Sequence, residues 1–198
     1  MEFILDKEEF ARAFERLRGL VSVDGPLSRQ SIQDDFSSFR FISFSSVFNR
    51  TFFRAMKQFC RGVDDDSFLM VATDPDPRVY VREFGRYNAV SCSVGDSADS
   101  YIEMLNDGPK GSSADSIVDS SNRLFFFSHS RSWLFFGDRY ANLTCCCFVN
   151  RSVAEIFESS YGGDLFPSIL DATKFSQTTG EVAASLSSFD VSDGHNAD

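Results

Sequence analysis

Apolar positions recur along the chain in two rhythms. Behind Asp6-Lys7-Glu8-Glu9, the residues Phe10, Ala13, Phe14 and Leu17 follow at helical spacing. The D-x-x-E start predicts Asp6 as N-cap, with Glu9 reaching back. Gly19 and Gly25-Pro26 end this element. Phe39 to Phe44 reads as a strand, and Asn49 or Thr51 is placed to cap a helix carrying Phe52, Phe53, Met56, Phe59 and Cys60. From Ser67 the rhythm shortens. Ser67–Ala72, Val79–Phe84 and Tyr87–Cys92 read as strands, with Asp74-Pro75-Asp76-Pro77 as a turn between the first two. Ser97 opens a helix with Tyr101, Ile102, Met104 and Leu105 on its apolar face, and Asn106 to Ser113 reads as a loop. Leu124–Phe127, Trp133–Phe136 and Leu143–Val149 are three further strands joined by short polar turns, and a helix begins at Ser152.

Strands joined by such short turns form antiparallel meanders rather than crossover units. The expected fold class is therefore α+β: one domain over residues 1–184, with an antiparallel sheet of about five or six strands and helices packed on one side. Residues 185–198 are polar and acidic and are expected to be a disordered tail.

Composition adds a surface character. The 198 residues include 23 Phe against five Tyr and one Trp, and such rings need burial in a core or against a partner. The net charge is −10, unevenly spread. Residues 1–63 carry ten basic and eight acidic side chains, residues 64–150 seven and thirteen, and residues 151–198 two and eight. This balance disfavours a phosphate backbone and favours a basic protein partner. No apolar run reaches the roughly 20 residues of a membrane span. Met1 to Leu20 has no signal-peptide core, and five cysteines make a poor disulfide set. A cytoplasmic location and no membrane contact are expected. The sequons at Asn49, Asn142 and Asn150 would then go unused.

Candidate chemistry is sparse. Cys145, Cys146 and Cys147 lack metal-ligand spacing; in a strand the outer two share a face and the middle one does not. His129 and His195 are the available imidazoles. A nucleophile drawn from Cys60, Cys92 or Cys145 with His129, oriented by Asp138, is the enzyme alternative, although no catalytic motif surrounds them. Asp64, Asp65, Asp66, Asp74 and Asp76 form two acidic groups. Asp66 and Asp74 bracket a strand of about 23 Å at ~3.3 Å per residue, too far apart for one cation site. They read as rim residues of a binding surface, with Tyr80 and Tyr87 as candidate anchors.

The stretch Arg123 to Val149, with Trp133 opening a strand and the Gly137-Asp138-Arg139 turn, resembles the sheet segment of small bacterial immunity-type proteins. These are cytosolic antidotes encoded beside polymorphic toxins. The resemblance implies a protein partner, a toxin, and no cofactor or catalytic residue; with the acidic charge balance, the expected partner is a basic toxin domain, and the cysteine spacing leaves no metal expected. A structural or regulatory interaction protein without a toxin is the alternative, and a Cys-dependent enzyme the second.

Overall fold

The computed structural model describes residues 1–176 and 181–189. Its centre is a seven-stranded sheet in which every pairing is antiparallel. The strands are β1 (Glu2–Phe3), β2 (Ser38–Ser43), β3 (Ser67–Asp74), β4 (Ala89–Ser93), β5 (Arg123–Phe127), β6 (Trp133–Asp138) and β7 (Leu143–Phe148), in the spatial order β1-β4-β3-β5-β6-β7-β2. The α+β class and the antiparallel sheet agree with the sequence pattern. The strand count is one above the expected upper value, because the two-residue β1 adds to the edge of β4. At the opposite edge, Phe41 of β2 exchanges two backbone hydrogen bonds with Phe166, at 3.0 and 2.8 Å. That partly blunts an otherwise open edge.

Helices cover both faces of the sheet, not one. On the first face, Phe125, Phe127, Leu134, Phe136, Cys145 and Cys147 pack with α1 (Lys7–Arg18), the segment Leu20 to Phe36 and α7 (Ile169–Ser176). Leu186 and Phe189, assigned on sequence to the tail, are buried in this same face. The rest of that tail, residues 190–198, lies outside the described residues. On the second face, Phe68, Met70, Phe126, Trp133, Phe135, Cys146 and Phe148 pack against α2 (Arg50–Gly62), α4 (Ala98–Asn106), α5 (Ile117–Ser120) and α6 (Arg151–Ser160).

Local rules account for most helix ends. Asp6 accepts the amide of Glu9 at 2.8 Å, Asn49 that of Phe52 at 2.8 Å, and Asn150 that of Val153 at 3.0 Å. Two of the three sequon asparagines are thus helix caps, and the third, Asn142, takes a left-handed turn conformation. One expected strand is wrong: Val79 to Phe84 lie in a helix, α3 (Pro77–Phe84). The punctuation around them dominates their β-branched content. Asp76 caps the helix through the Arg78 amide, Pro77 sits in its first turn, and Gly85, at φ 76°, closes it with its amide on the Val81 carbonyl. Tyr80 and Phe84 then meet one turn apart, ring centroids 4.7 Å apart.

Phe135 sits inside the second core, with the rings of Trp133, Phe157 and Phe148 at 5.1, 4.9 and 5.8 Å. Phe135→Ala is expected to cost about 3–5 kcal/mol in urea unfolding. Val79→Ala, on the exposed side of α3, should stay within about 0.5 kcal/mol.

Candidate functional site

Antiparallel register sends the connecting loops to the two ends of the sheet. Residues 63–66 and 128–132 lie at one end. At the other, Asp74 pairs with Arg123 and Arg123 with Asp138, next to the β6–β7 turn. The two acidic groups are therefore separated by the length of β3, as their spacing predicts.

At the first end, Asp64 and Asp66 are exposed but Asp65 is not. Asp65 is only 8% exposed, and its Oδ2 accepts from Trp133 Nε1 at 2.9 Å and from Ser130 Oγ at 3.0 Å. It ties the loop before β3 to the β5–β6 hairpin, so it is an internal latch rather than a rim residue. Asp66 accepts from the neighbouring Ser67 hydroxyl at 2.8 Å and remains open to solvent.

At the second end, Asp74 is half-buried and Asp76 is exposed while capping α3. The two tyrosines proposed as anchors are both internal. Tyr80 is 2% exposed and donates its hydroxyl to the Asp115 carbonyl at 2.7 Å; Tyr87 is 7% exposed and stacks on Phe10 at 3.9 Å. Neither presents a ring to a partner. The exposed aromatic at this end is Tyr140, 62% accessible in the β6–β7 turn. Its signal in the sequence is an aromatic inside the polar turn Gly137-Asp138-Arg139-Tyr140-Ala141-Asn142.

Asp138 organises this end. Its Oδ1 accepts from the amides of Tyr140 and Ala141 at 2.9 and 3.3 Å, and its Oδ2 from the amide of Leu27 at 3.4 Å. The carboxylate thereby holds the turn and pins residues 26–27 beside it. Arg123 Nε lies 3.8 Å from Oδ2, an ion pair without a hydrogen bond. Between these groups opens a cleft of about 240 Å³, lined by Pro26, Leu27, Arg123, Asp138, Tyr140, Ala141 and Ser185, whose hydroxyl donates to the Leu27 carbonyl at 3.1 Å.

The cysteines are free and buried. Cys145 and Cys147 share the first face with their sulfurs 3.6 Å apart, and Cys146 faces the second core, which is the alternation expected of a strand. Burial first, then the Asp65 carboxylate, pushes the Cys60 thiol up to about 12. Burial also raises Cys92, Cys145 and Cys146, so these thiols stay protonated at neutral pH. His129 is exposed, its Nε2 3.2 Å from Arg16 Nη1; it is not joined to Cys60, Cys92 or Cys145. Asp138 is occupied by backbone amides and does not orient that ring. Among the described residues no group of three or more His, Cys, Asp or Glu is arranged to hold a metal ion, and no helix is long and apolar enough to cross a membrane. His195 lies outside the described residues. No protein family model, curated protein or solved structure matches the chain.

Two measurements follow from these environments. A thiol reagent at pH 8 should label the native protein very slowly and react with all five cysteines once the chain is unfolded. The folded Cys60 ionises above the ordinary value of 9.0, so the unfolded chain loses its proton first and stability should fall as pH rises from 9.0 towards 12. Separately, Asp65→Ala leaves Trp133 Nε1 and Ser130 Oγ without their acceptor and should cost about 1–3 kcal/mol. Asp64→Asn and Asp66→Asn should melt within a degree or two of wild type, as exposed charges contribute little.

Proposed function

We propose that this chain is a non-catalytic protein-binding module, an immunity-type protein that covers a basic toxin domain and occludes its substrate cleft. The carrying observation is how the charge is displayed. Much of the positive charge is spent within the chain: Arg40 pairs with Glu158 at 2.6 Å, Arg86 with Asp107 at 2.7 Å and Arg50 with Asp99 at 2.6 Å. Arg139 turns its guanidinium onto the carbonyls of Ser121 and Val118. Among the described residues, the exposed carboxylates of Asp24, Asp64, Asp66 and Asp76 form no ion pair, so unpaired negative charge is offered to solvent at both ends of the sheet. A field of this sign speeds encounter with a basic partner and suppresses acidic ones.

The likeness of Arg123–Val149 to immunity-type sheets supports the toxin partner in particular. The Cys-dependent alternative lacks an accessible thiolate, since Cys60, Cys92 and Cys145 are all buried and protonated.

Binding kinetics against the product of the neighbouring gene test this directly. Association should slow steeply with salt, because exposed charges are screened over a Debye length of about 8 Å at physiological ionic strength. Asp74→Asn with Asp76→Asn, and separately Asp64→Asn with Asp66→Asn, locate the facing end; the pair that faces the partner should lower the on-rate more than it raises the off-rate. Asn retains the cap on α3, so thermal melts should not move. An on-rate indifferent to salt and to both pairs would remove the electrostatic basis of the proposal.

A further inference from the structure

The cleft beside Asp138 combines apolar walls, an exposed aromatic and a guanidinium with unused donors. Pro26, Leu27, Tyr140 and Ala141 supply the walls of a space of about 240 Å³. Sites for free small molecules run from about 300 Å³ upward, so this one is scaled to a single side chain of a larger partner. Arg123 enters from the start of β5 with its side chain 21% exposed. Its Nη1 donates to the Asp24 carbonyl at 3.1 Å, and its Nε is buried, without a hydrogen-bond partner among the described residues. Asp138 does not fill that need, because its Oδ2 stands 3.8 Å from the Nε, beyond hydrogen-bond distance.

These features define the occupant. Apolar walls take an aliphatic side chain. A guanidinium with spare donors takes an acceptor, and the neighbouring carboxylates of Asp24, Asp74 and Asp138 make a neutral carbonyl a better one than a carboxylate or phosphate. The same carboxylates favour Lys or Arg on either side of the inserted residue. We infer that this cleft is the anchor point for a basic protein partner. It receives a leucine-like side chain from an extended, Lys- or Arg-flanked segment whose backbone carbonyl accepts from Arg123, with Tyr140 against the side chain. The inference rests on the binding reading above and assigns it a face.

The test titrates the isotope-labelled protein with the capped tripeptide acetyl-Lys-Leu-Lys-amide and follows backbone amide shifts. Shifts should centre on Leu27, Tyr140 and Ala141, with a dissociation constant on the order of millimolar, as befits so small a ligand. Ala in place of the central Leu should weaken binding roughly tenfold. Glu in place of both Lys should weaken it severalfold at low salt. Tyr140→Ala removes an exposed ring without disturbing the core. Arg123→Lys keeps the cation beside Asp138 but loses the guanidinium donors, and each variant should weaken the Leu peptide about fivefold. Shifts centred elsewhere, equal binding of the Leu and Ala peptides, or full affinity in both variants would overturn the anchor. A silent peptide with a binding neighbouring gene product would sink the anchor alone. A localised, Leu-dependent response with no binding of that gene product would uphold the cleft and sink the toxin partner.

Discussion

A sheet that is apolar on both sides must be covered on both sides, and the rest of this molecule follows from that. β6 and β7 are buried at every position, and β5 at every position after Arg123. Left bare, Phe125, Phe127, Leu134 and Phe136 would forfeit about 1.5–3 kcal/mol each. Their sum, about 6–12 kcal/mol, is the size of the whole stability of a typical domain, about 5–15 kcal/mol. One layer of helices is therefore not enough. α2, α4 and α6 close one face, and α1, α7 and the segment through Leu186 and Phe189 close the other.

Few polar groups survive inside such an interior, and those that do work at its ends. Among the described residues, Asp65 and Asp138 are the two buried carboxylates, one at each end of the sheet. Each is satisfied by hydrogen-bond donors: Asp65 by Trp133 and Ser130, Asp138 by the Leu27 amide and its own turn. Burying a carboxylate is costly unless it is hydrogen-bonded, so these residues also fix which loops lie together. Asp138 thereby sets the shape of the Arg123–Tyr140 cleft while playing no part in an imidazole relay. The cysteines belong to the same dry interior, where small, neutral side chains fit between rings.

Binding function is consistent with this division. The interior is aromatic and closed, while the unpaired carboxylates of Asp24, Asp64, Asp66 and Asp76 sit exposed on loops and a helix cap. Under the proposed binding function, an acidic surface would act through encounter and orientation, and the apolar cleft at one end would supply the short-range contact that charge alone lacks.

Sequence alone determined the features that depend on neighbours a few residues away. Caps at Asp6 and Ser97, the short turns, the antiparallel meander and the opposite facing of Cys145 and Cys146 all follow from local spacing, while the choice of Asn49 over Thr51 as cap came from the structure. The two acidic groups fall at opposite ends because a strand of known rise separates them. The unbroken apolar runs Leu124–Phe127 and Cys145–Phe148 also held the information that both faces are covered, since a half-exposed strand would alternate. Which acids and tyrosines reach solvent was decided only by tertiary structure. Asp64, Asp65 and Asp66 are indistinguishable in a string of letters, yet Asp65 meets a Trp 68 positions away. Tyr80 and Tyr87 are buried by a hydrogen bond to Asp115 and a ring from Phe10, whereas Tyr140 is held out by a turn that Asp138 closes. The cleft joins residues 26–27, 123 and 138–141, which only long-range strand register brings together; exposure is a property of the assembled surface, and no local periodicity encodes it.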